Sequence, residues 1–509
     1  MSHVARSTLI IAVFIGLEKL LGFIRQVLTA RTFGLSPELD AFNAANNLPD
    51  LLFALISGGS FAIAVIPVFS EYLEKGGHPA LWDLFSRVLN LIFLMTAGIS
   101  VLIAIFANQL VSWRGGIAPG FEAYQQGLVA DLMRLNLIAT LLFSISGLVI
   151  AGLQTNQHFL LPALARSMYD VGALVGVLFL APKTGYQFGP IALPAFGLGV
   201  FGLVYGILLG ALLFLLIQIP GLVRFGFRWS PVITLRHPGV KQVFRVMGPR
   251  VATMFFVYLV LIYIPDNIAS RLPSGAVAAL VFGWLFMQVP ETLIGTAIGT
   301  ALLPTLSEQI IRRDLATFQL SLNQSLRVIL ALTLPSAALL TVVIEPVVQI
   351  FGFDASGTDL VVWTARAFLV GLMGHALLEV AARAFYAQQD ARTPLFASAL
   401  MMGVFTLLAL LLAPRLGAPG IALANALAFT GEALLLLGLL SRRFRGLLRV
   451  EKTLLRVTAV SIITGLGVYG LMHLPFSPLP LSIGSLGVGM LLVFPFVWPE
   501  VNLLVKLGK

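Results

Sequence analysis

Apolar residues fall in long, nearly continuous runs along this chain, and short polar connections separate the runs. A run of about 20 apolar residues can cross ~30 Å of hydrocarbon as a helix. Transmembrane β-strands would be shorter and would alternate apolar with polar residues. The pattern therefore predicts an all-α polytopic membrane protein with fourteen transmembrane helices. The expected spans are 8–29, 40–66, 88–110, 131–153, 160–181, 194–219, 247–266, 276–304, 326–346, 359–384, 394–414, 419–441, 455–474 and 480–502.

The composition agrees with a membrane protein and excludes several kinds of chemistry. Of the 509 residues, 58% are hydrophobic and 11% are charged, whereas soluble proteins typically carry ~25% charged residues. The absence of cysteine excludes disulfides and thiolate metal sites. The six histidines lack metal-ligand spacing, and there is no Walker A loop or GxSxG elbow. We therefore predict no enzymatic activity, no catalytic residue, no metal site and no cofactor.

The basic residues are distributed unequally between the two sets of loops. With the N-terminus placed in the cytoplasm, 20 of the 32 Lys and Arg residues lie in inner loops and tails, five lie in outer loops and seven lie within spans. Lys and Arg accumulate on the cytoplasmic side of membrane proteins. The asymmetry predicts that both termini are cytoplasmic and that the number of spans is even. The net charge of +10 thus reflects topology and gives no indication of nucleic-acid binding.

The chain contains an internal repeat. The segment "AVIPVFSEYL" matches "ALLPTLSEQI", "LPDLL" around Pro49 matches "VPETL" around Pro290, and "GLQTNQHFLLP" matches "AFYAQQDARTP". Spans 1–6 and 7–12 are therefore predicted to be two parallel six-helix repeats, an arrangement typical of transporters that open alternately to each side. Pro49 and Pro290 predict kinks or breaks in spans 2 and 8. The expected domains are an N-terminal lobe (1–222), a C-terminal lobe (223–445) and two additional helices (446–509).

Charged residues within the first span of each repeat indicate a functional interior. A charge at the bilayer centre costs at least ~2.5–3.5 kcal/mol on insertion scales, so Lys19 and Arg25 require water, an acidic partner or an anionic ligand. Arg250 begins span 7, which occupies the repeat position of span 1. These cations predict a water-filled cavity that attracts anions. Alternatively, Arg25 and Arg250 extend to the membrane surfaces, and Glu18 neutralises Lys19.

Span 2 carries polar residues on one helical face. Asp40, Asn43 and Asn47 follow the i, i+3, i+7 spacing of such a face. We expect them to orient the cations of span 1 or to contact a sugar. The predicted substrate-binding residues are Lys19, Arg25, Asp40, Asn43, Asn47 and Arg250.

Three further carboxylates, at Asp170, Glu379 and Glu432, lie deep within predicted spans. They either couple to protons or ions or form packed polar bridges, and the sequence leaves both interpretations open.

Four segments resemble the MurJ/MviN family of lipid II flippases, within the multidrug/oligosaccharidyl-lipid/polysaccharide exporter superfamily. These segments are "LLGFIRQVLTARTFGLSPELDAFNAANNLPDLLF", "GSFAIAVIPVFSEY", "IGTALLPTLSE" and "RAFYAQQDARTP". The resemblance implies two six-helix lobes around a cationic cavity, with the last two helices forming a lipid-facing groove. It implies that the protein moves an undecaprenyl-diphosphate-linked peptidoglycan precursor from the inner to the outer leaflet. Arg25 stands where the family has an essential arginine, Asp40 matches an aspartate of span 2, and Lys19 replaces another basic residue.

The chain also departs from the family pattern. Leu285 stands where span 8 commonly carries a basic residue, and Phe53 and Ala54 replace basic residues of span 2. Span 11 has no Asn or Asp, so the sodium site of some relatives is not implied. Arg250 could compensate for the missing charge of span 8.

The resulting hypothesis is a lipid II flippase of peptidoglycan biosynthesis in the bacterial cytoplasmic (inner) membrane. Its expected partners are a lipid-linked anionic saccharide, membrane lipids and cell-wall synthesis proteins, with no nucleic acid. Three alternatives stay open: a flippase for another polyprenyl-diphosphate-linked saccharide, a drug or cation exporter of the same superfamily, and a non-transporting scaffold of cell-wall synthesis. An acidic, aromatic cavity would be expected of the exporter, and the basic first span argues against it.

Overall fold

The computed structural model describes the backbone at residues 3–56, 59–188, 191–444 and 449–507. Within these ranges, side chains are described except at 3–13, 15, 56, 59–64, 188, 191–192, 249–254, 256–257, 260 and 504–507. The chain divides into two compact units, Met1–Asn267 and Ile268–Lys509. This division follows packing. The domain boundaries predicted after residues 222 and 445 were based on the similarity between the two sequence repeats. They stay predictions.

The first unit is built from helices and one short hairpin. The hairpin pairs strand β1 (Gln187–Phe188) with strand β2 (Ile191–Ala192) antiparallel, and it was not predicted from the sequence. The helices are α1 (His3–Phe33), α2 (Pro37–Ala45), α3 (Asn47–Ile56), α4 (Gly59–Ile105), α5 (Ala107–Ser112), α6 (Ala123–Thr155), α7 (Leu160–Val175), α8 (Val200–Leu216), α9 (Ile219–Arg224), α10 (Pro238–Tyr258) and α11 (Ile264–Ala269), the last of which reaches the division between the units.

The second unit, in its described residues, is helical throughout. Its helices are α12 (Ala276–Glu291), α13 (Ala297–Ile311), α14 (Leu315–Gln349), α15 (Ala355–Val370), α16 (Leu372–Ala387), α17 (Arg392–Leu416), α18 (Ala418–Arg443), α19 (Glu451–Leu471) and α20 (Pro478–Leu507). Within the described ranges, three π-helical segments adjoin the α-helices, at Gly176–Leu180, Leu259–Tyr263 and Thr292–Thr296.

The predicted all-α membrane fold is confirmed. Among the described residues, eleven helical segments are long and apolar enough to cross a membrane, and they correspond to predicted spans 3–6 and 8–14. The described parts of predicted spans 1, 2 and 7 are also largely helical, in α1, α2 to α4 and α10 to α11. The total of fourteen spans stays a prediction. Large apolar side chains on α17, α19 and α20 are exposed, as expected for helices that face lipid.

Proline and glycine explain where the helices are interrupted in span 2 and in the connection between spans 2 and 3. The chain leaves regular helix at Asn46, and α3 begins with Asn47, so Pro49 lies in the first turn, where its missing N–H has no intrahelical partner to lose. A second interruption lies at Gly77 within α4, where φ is 66°, a conformation that glycine adopts without strain. The break predicted at Pro49 is therefore confirmed. Pro290 lies near the end of α12 and is followed by the π-helical segment Thr292–Thr296.

An aromatic core supports the first unit. Phe143 on α6 packs edge-on against Phe53 at 4.9 Å and against Phe214 at 5.6 Å between ring centroids. Phe53 is one of the positions where the family commonly carries a basic residue. The structure therefore shows an apolar packing role at this position, and the departure from the family pattern is accommodated in the core.

Helices α7 and α8 approach each other through glycine. A Cβ atom added to Gly172 would lie 2.2 Å from the backbone nitrogen of Gly210, and one added to Gly206 would lie 2.6 Å from the Cα of Gly176. Small residues allow helix backbones to come this close in a membrane, where lipid tails are as apolar as the helix surfaces. This contact packs α7, which carries Asp170, closely against α8.

Two polar contacts join helix ends in the second unit. Glu500 on α20 is fully buried and accepts hydrogen bonds from Arg327, Arg456 and Thr453. Asp390, in the connection before α17, accepts hydrogen bonds from the backbone and side chain of Thr393 and from Arg443. These bonds, above all the one from the backbone N–H of Thr393, lower the pKa of Asp390 to about 2.

Candidate functional site

Arg25 and Asp170 form an ion pair between α1 and α7. The Nε atom of Arg25 donates to Oδ1 of Asp170 at 3.1 Å, and the side chains are 24% and 5% exposed. The guanidinium also lies 5.8 Å from the ring centroid of Tyr169. Gly22, one turn before Arg25, also lies close to the carboxylate, since a Cβ there would be in van der Waals contact with Oδ1 at 3.8 Å. Asp170 therefore forms a packed polar bridge, and Arg25 has an acidic partner within the protein.

The terminal nitrogens of Arg25 differ from its Nε. Among the described residues, only Nε makes a hydrogen bond, and the terminal nitrogens are not buried. A guanidinium carries five N–H donors in a planar fork that matches carboxylate and phosphate. The fork of Arg25 thus retains donors for a ligand even while it is bonded to Asp170.

Lys19 is the more accessible cation of this region. Its Nζ lies 3.9 Å from Oε1 of Glu18, and its side chain is 71% exposed against 24% for Glu18. A pair at this distance and exposure contributes ~0–1 kcal/mol, so Glu18 only weakly holds the ammonium. Lys19 is therefore available for an anionic group.

The charged residues around Lys19 and Arg25 do not form the purely cationic lining that was predicted for an anion-binding cavity. Asp50 is exposed and lies within the electrostatic influence of Arg25. The two cations Lys19 and Arg25 are thus accompanied by three acids, Glu18, Asp50 and Asp170. The side chain of Arg250, which was predicted to add positive charge, lies outside the described side chains, although its backbone belongs to α10.

One of the polar residues predicted on span 2, Asn47, forms contacts other than those expected. Asn47 and Asp40 are buried and Asn43 is half-buried. The Nδ2 atom of Asn47 donates to Oδ2 of Asp266 at 2.9 Å, and the hydroxyl of Tyr258 donates to the backbone carbonyl of Asn47. The acid that orients Arg25 is Asp170, which had not been predicted as a site residue.

Sequence reasoning missed three partners in this region. Asp266 and Tyr258 lie more than 200 residues from Asn47, and Asn136 on α6 donates to the side chain of Asn46. The sequence did show a polar residue within each of these apolar spans. Which polar residues contact each other, however, is known only from the tertiary structure.

The second unit contains a comparable cluster of half-buried charged side chains. Arg383 on α16 donates to the carboxylate and backbone carbonyl of Glu379 and to Thr300 at 3.3 Å. Its charge also acts on Glu291, which accepts a hydrogen bond from Thr296 at 3.1 Å. Glu379 thus forms a packed polar bridge, and Arg383 lies within this cluster. Glu432 accepts a hydrogen bond from Ser398.

Leu285, at the position where the family commonly has a cation, is half-buried on α12.

The described residues contain no group of three or more His, Cys, Asp or Glu side chains arranged to hold a metal ion.

These features define a class of protein: a multi-pass helical transport protein with buried charges in both units. The fold is similar to that of a solved chain described as "Lipid II flippase MurJ, inward closed conformation", with a TM-score of 0.80, 21% identity and coverage of 98% of this chain and 100% of the other. It is also similar to an inward-facing multidrug resistance transporter of the MATE family in the MOP superfamily, with a TM-score of 0.69, 13% identity and coverage of 84% and 95%. At these sequence identities, the two structural similarities show only that the fold is shared.

Sequence comparison identifies the family within this class. A sequence model of the family described as "Lipid II flippase MurJ" matches residues 29–483. The chain is 31% identical to the lipid II flippase MurJ of Burkholderia cenocepacia over 479 residues, which cover 92% of this chain and 89% of the relative. It is 29% identical to a probable lipid II flippase MurJ of Rhizobium tropici, covering 88% and 82%. The chain belongs to the lipid II flippase MurJ family.

Proposed function

We propose that this protein moves lipid II, the lipid-linked precursor of peptidoglycan, from the inner to the outer leaflet of the bacterial inner membrane by alternating access. The observation that carries the proposal is the match to the flippase family over residues 29–483. Both termini face the cytoplasm in this proposal, because the basic residues are concentrated in the connections that would then be internal. Cell-wall synthesis proteins are the partners that such an activity would serve.

Arg25 and Lys19 bind the anionic head group in this mechanism. The free N–H groups of Arg25 can donate to diphosphate oxygens in the planar, bidentate geometry that guanidinium favours, and the exposed Lys19 adds a point charge beside it. Asp170 holds the guanidinium of Arg25 when no ligand is present. The head group takes the terminal donors while Nε stays bonded to Asp170, and the negative charge of Asp170 weakens the attraction for the head group, which favours its release.

Asp40, Asn43, Asn47 and Arg250 stay candidates for the lining of the substrate path. Asn43 is the most accessible of the three span 2 residues whose side chains are described. Arg250 would supply the positive charge that Leu285 does not. The support for this role is that Arg250 lies near the start of predicted span 7, which occupies the repeat position of span 1; in the structure this residue lies within α10 and not at its beginning.

Complementation in cells depleted of their own flippase tests the proposal. The Arg25→Ala variant should insert into the membrane but fail to support growth. Arg134→Ala is the matched control, because Arg134 also pairs with an acid on a membrane helix, Asp131 at 2.7 Å, but is not assigned to the site. Normal growth of the Arg25→Ala strain would overturn the assignment of Arg25.

A second experiment separates the alternative functions. Purified protein in proteoliposomes should transfer fluorescent lipid II between leaflets faster than protein-free vesicles. A flippase for another polyprenyl-diphosphate saccharide, which the apolar Leu285 favours, would transfer that lipid and leave lipid II in place. A scaffold would transfer neither lipid.

A further inference from the structure

An aromatic residue, Tyr169, lies beside the guanidinium of Arg25. Tyr169 immediately precedes Asp170 on α7, and its ring centroid lies 5.8 Å from the central carbon of the guanidinium. A cation within about 6 Å of an aromatic ring centroid is attracted by the electrons of the ring face. Two consecutive residues of α7 therefore act on the same cation, Asp170 through a hydrogen bond to Nε and Tyr169 through its ring.

The ring of Tyr169 is held in place by other parts of the first unit. It packs edge-on against Phe143 of α6, with 5.7 Å between the centroids, and Phe143 in turn packs against Phe53 and Phe214. On α8, a Cβ added to Gly210 would lie 3.2 Å from Cδ2 of Tyr169, so glycine allows the ring to lie close to that helix. These contacts fix the ring without any use of its hydroxyl group.

The hydroxyl of Tyr169 is accessible and unbonded. Tyr169 is half-buried, its hydroxyl oxygen is not buried, and it forms no hydrogen bond with the described residues. Tyrosine is favoured where an apolar ring packs against protein while its polar tip meets water or a ligand. The terminal nitrogens of Arg25 likewise keep N–H groups that the fold does not use. Two neighbouring side chains thus retain hydrogen-bond donors.

We propose that Tyr169 is a further residue of the head-group site: its ring holds the Arg25 guanidinium in position, and its hydroxyl donates to the phosphate group that Arg25 binds. The identity of the ligand, a lipid-linked diphosphate, rests on the proposed function. Hydrogen bonds to an ionised acceptor such as phosphate are roughly twice as strong as those between neutral groups. The hydroxyl therefore adds affinity for the diphosphate and adds none for the apolar tail.

Binding of radiolabelled farnesyl diphosphate to the full-length protein in lipid nanodiscs tests the proposal, with empty nanodiscs as the background. We expect saturable binding that unlabelled farnesyl diphosphate displaces and that farnesol, which has the same tail without phosphates, does not. Tyr169→Phe keeps the ring and should lower the affinity by about tenfold or more, the loss expected for a hydrogen bond to a charged group. Tyr205→Phe is the matched control, because it removes the hydroxyl of an exposed tyrosine on α8, and it should bind as the unchanged protein does.

A second variant separates the ring from the hydroxyl. Tyr169→Leu removes both and should lower the affinity by about a further threefold, because Arg25 loses the attraction of the ring. Folding of each variant is checked by size-exclusion chromatography and tryptophan fluorescence. Tyr169→Phe should fold normally, since the hydroxyl makes no hydrogen bond to the described residues. Unchanged affinity in folded Tyr169→Phe overturns the proposal, and so does the absence of saturable binding or equal displacement by farnesol.

The lipid II transfer assay distinguishes this proposal from the proposed function. If the unchanged protein transfers lipid II while Tyr169→Phe keeps full affinity for farnesyl diphosphate, the role of Tyr169 is wrong and the flippase assignment stands. If farnesyl diphosphate binding depends on Tyr169 but the unchanged protein transfers no lipid II, the diphosphate site stands and the flippase assignment fails.

Discussion

Removing Arg25 should destabilise the protein more than removing Arg25 and Asp170 together. At 3.1 Å and an effective dielectric constant of ~20, the attraction between the two charges is about 5 kcal/mol. In Arg25→Ala, the carboxylate of Asp170, which is 5% exposed, loses its cation and stays buried. Breaking a buried pair in this way costs about 3–5 kcal/mol. In Arg25→Ala/Asp170→Ala no charge is left without a partner, so we expect recovery of about 2 kcal/mol or more.

A double-mutant cycle in mixed detergent micelles measures this coupling. The free energy of unfolding is followed for the unchanged protein, the two single variants and the double variant. Arg134 and Asp131 provide the control cycle, because their side chains are 34% and 59% exposed and an exposed pair contributes ~0–1 kcal/mol. A double variant that is less stable than Arg25→Ala would refute the reasoning, and so would a coupling energy no larger than that of the control.

Three further predictions concern packing, pH and a buried acid. Gly172→Ala should lower the free energy of unfolding by about 1–3 kcal/mol, because the new Cβ meets Gly210 at 2.2 Å, whereas Gly467→Ala, with nothing within 4 Å, should not. Asp390→Asn should reduce the loss of thermal stability between pH 4 and pH 2. Glu500→Gln should cost about 2–3 kcal/mol and speed hydrogen exchange in α19 and α20, because two arginines lose their shared carboxylate.

The sign of the pH prediction follows from the pKa of Asp390. Folding lowers this pKa from 3.8 to about 2, so the ionised carboxylate stabilises the native state above pH 4. That contribution is lost as the pH falls through about 2. Asp390→Asn has no such group and should show a flatter melting-temperature profile in this range. Identical melting-temperature profiles would contradict the role of Asp390. Equal free energies of unfolding for Gly172→Ala and Gly467→Ala would contradict the packing argument. Unchanged hydrogen exchange in Glu500→Gln would contradict the role of the buried acid.

Much of the fold could be predicted because it depends on local properties of the sequence. Long apolar runs can satisfy their backbone hydrogen bonds in a membrane only as helices or closed barrels, and the continuous runs select helices. Pro49 likewise determines a local feature, because it lacks an N–H and suits the first turn of a helix. The observed break immediately before α3 agrees with that argument.

The charged residues could be located but not paired. The cost of a charge in hydrocarbon showed that Lys19 and Arg25 require partners or a ligand, and this argument needs only their position within a span. The acid that pairs with Arg25 lies 145 residues away, on a helix whose approach depends on the contact between α7 and α8. Several carboxylates were equally available in the sequence.

The sequence by itself determined the membrane-spanning helices, the repeat, the family resemblance and the need for a polar interior, because hydropathy, proline geometry and ordered motifs act over short stretches of chain. Only the tertiary structure decided that Asp170 holds Arg25, that Phe53 belongs to an aromatic core, and that Asn47 turns towards Asp266. The physical reason is that an ion pair or a buried hydrogen bond depends on distances of about 3 Å between distant segments. Those distances are set by how helices pack.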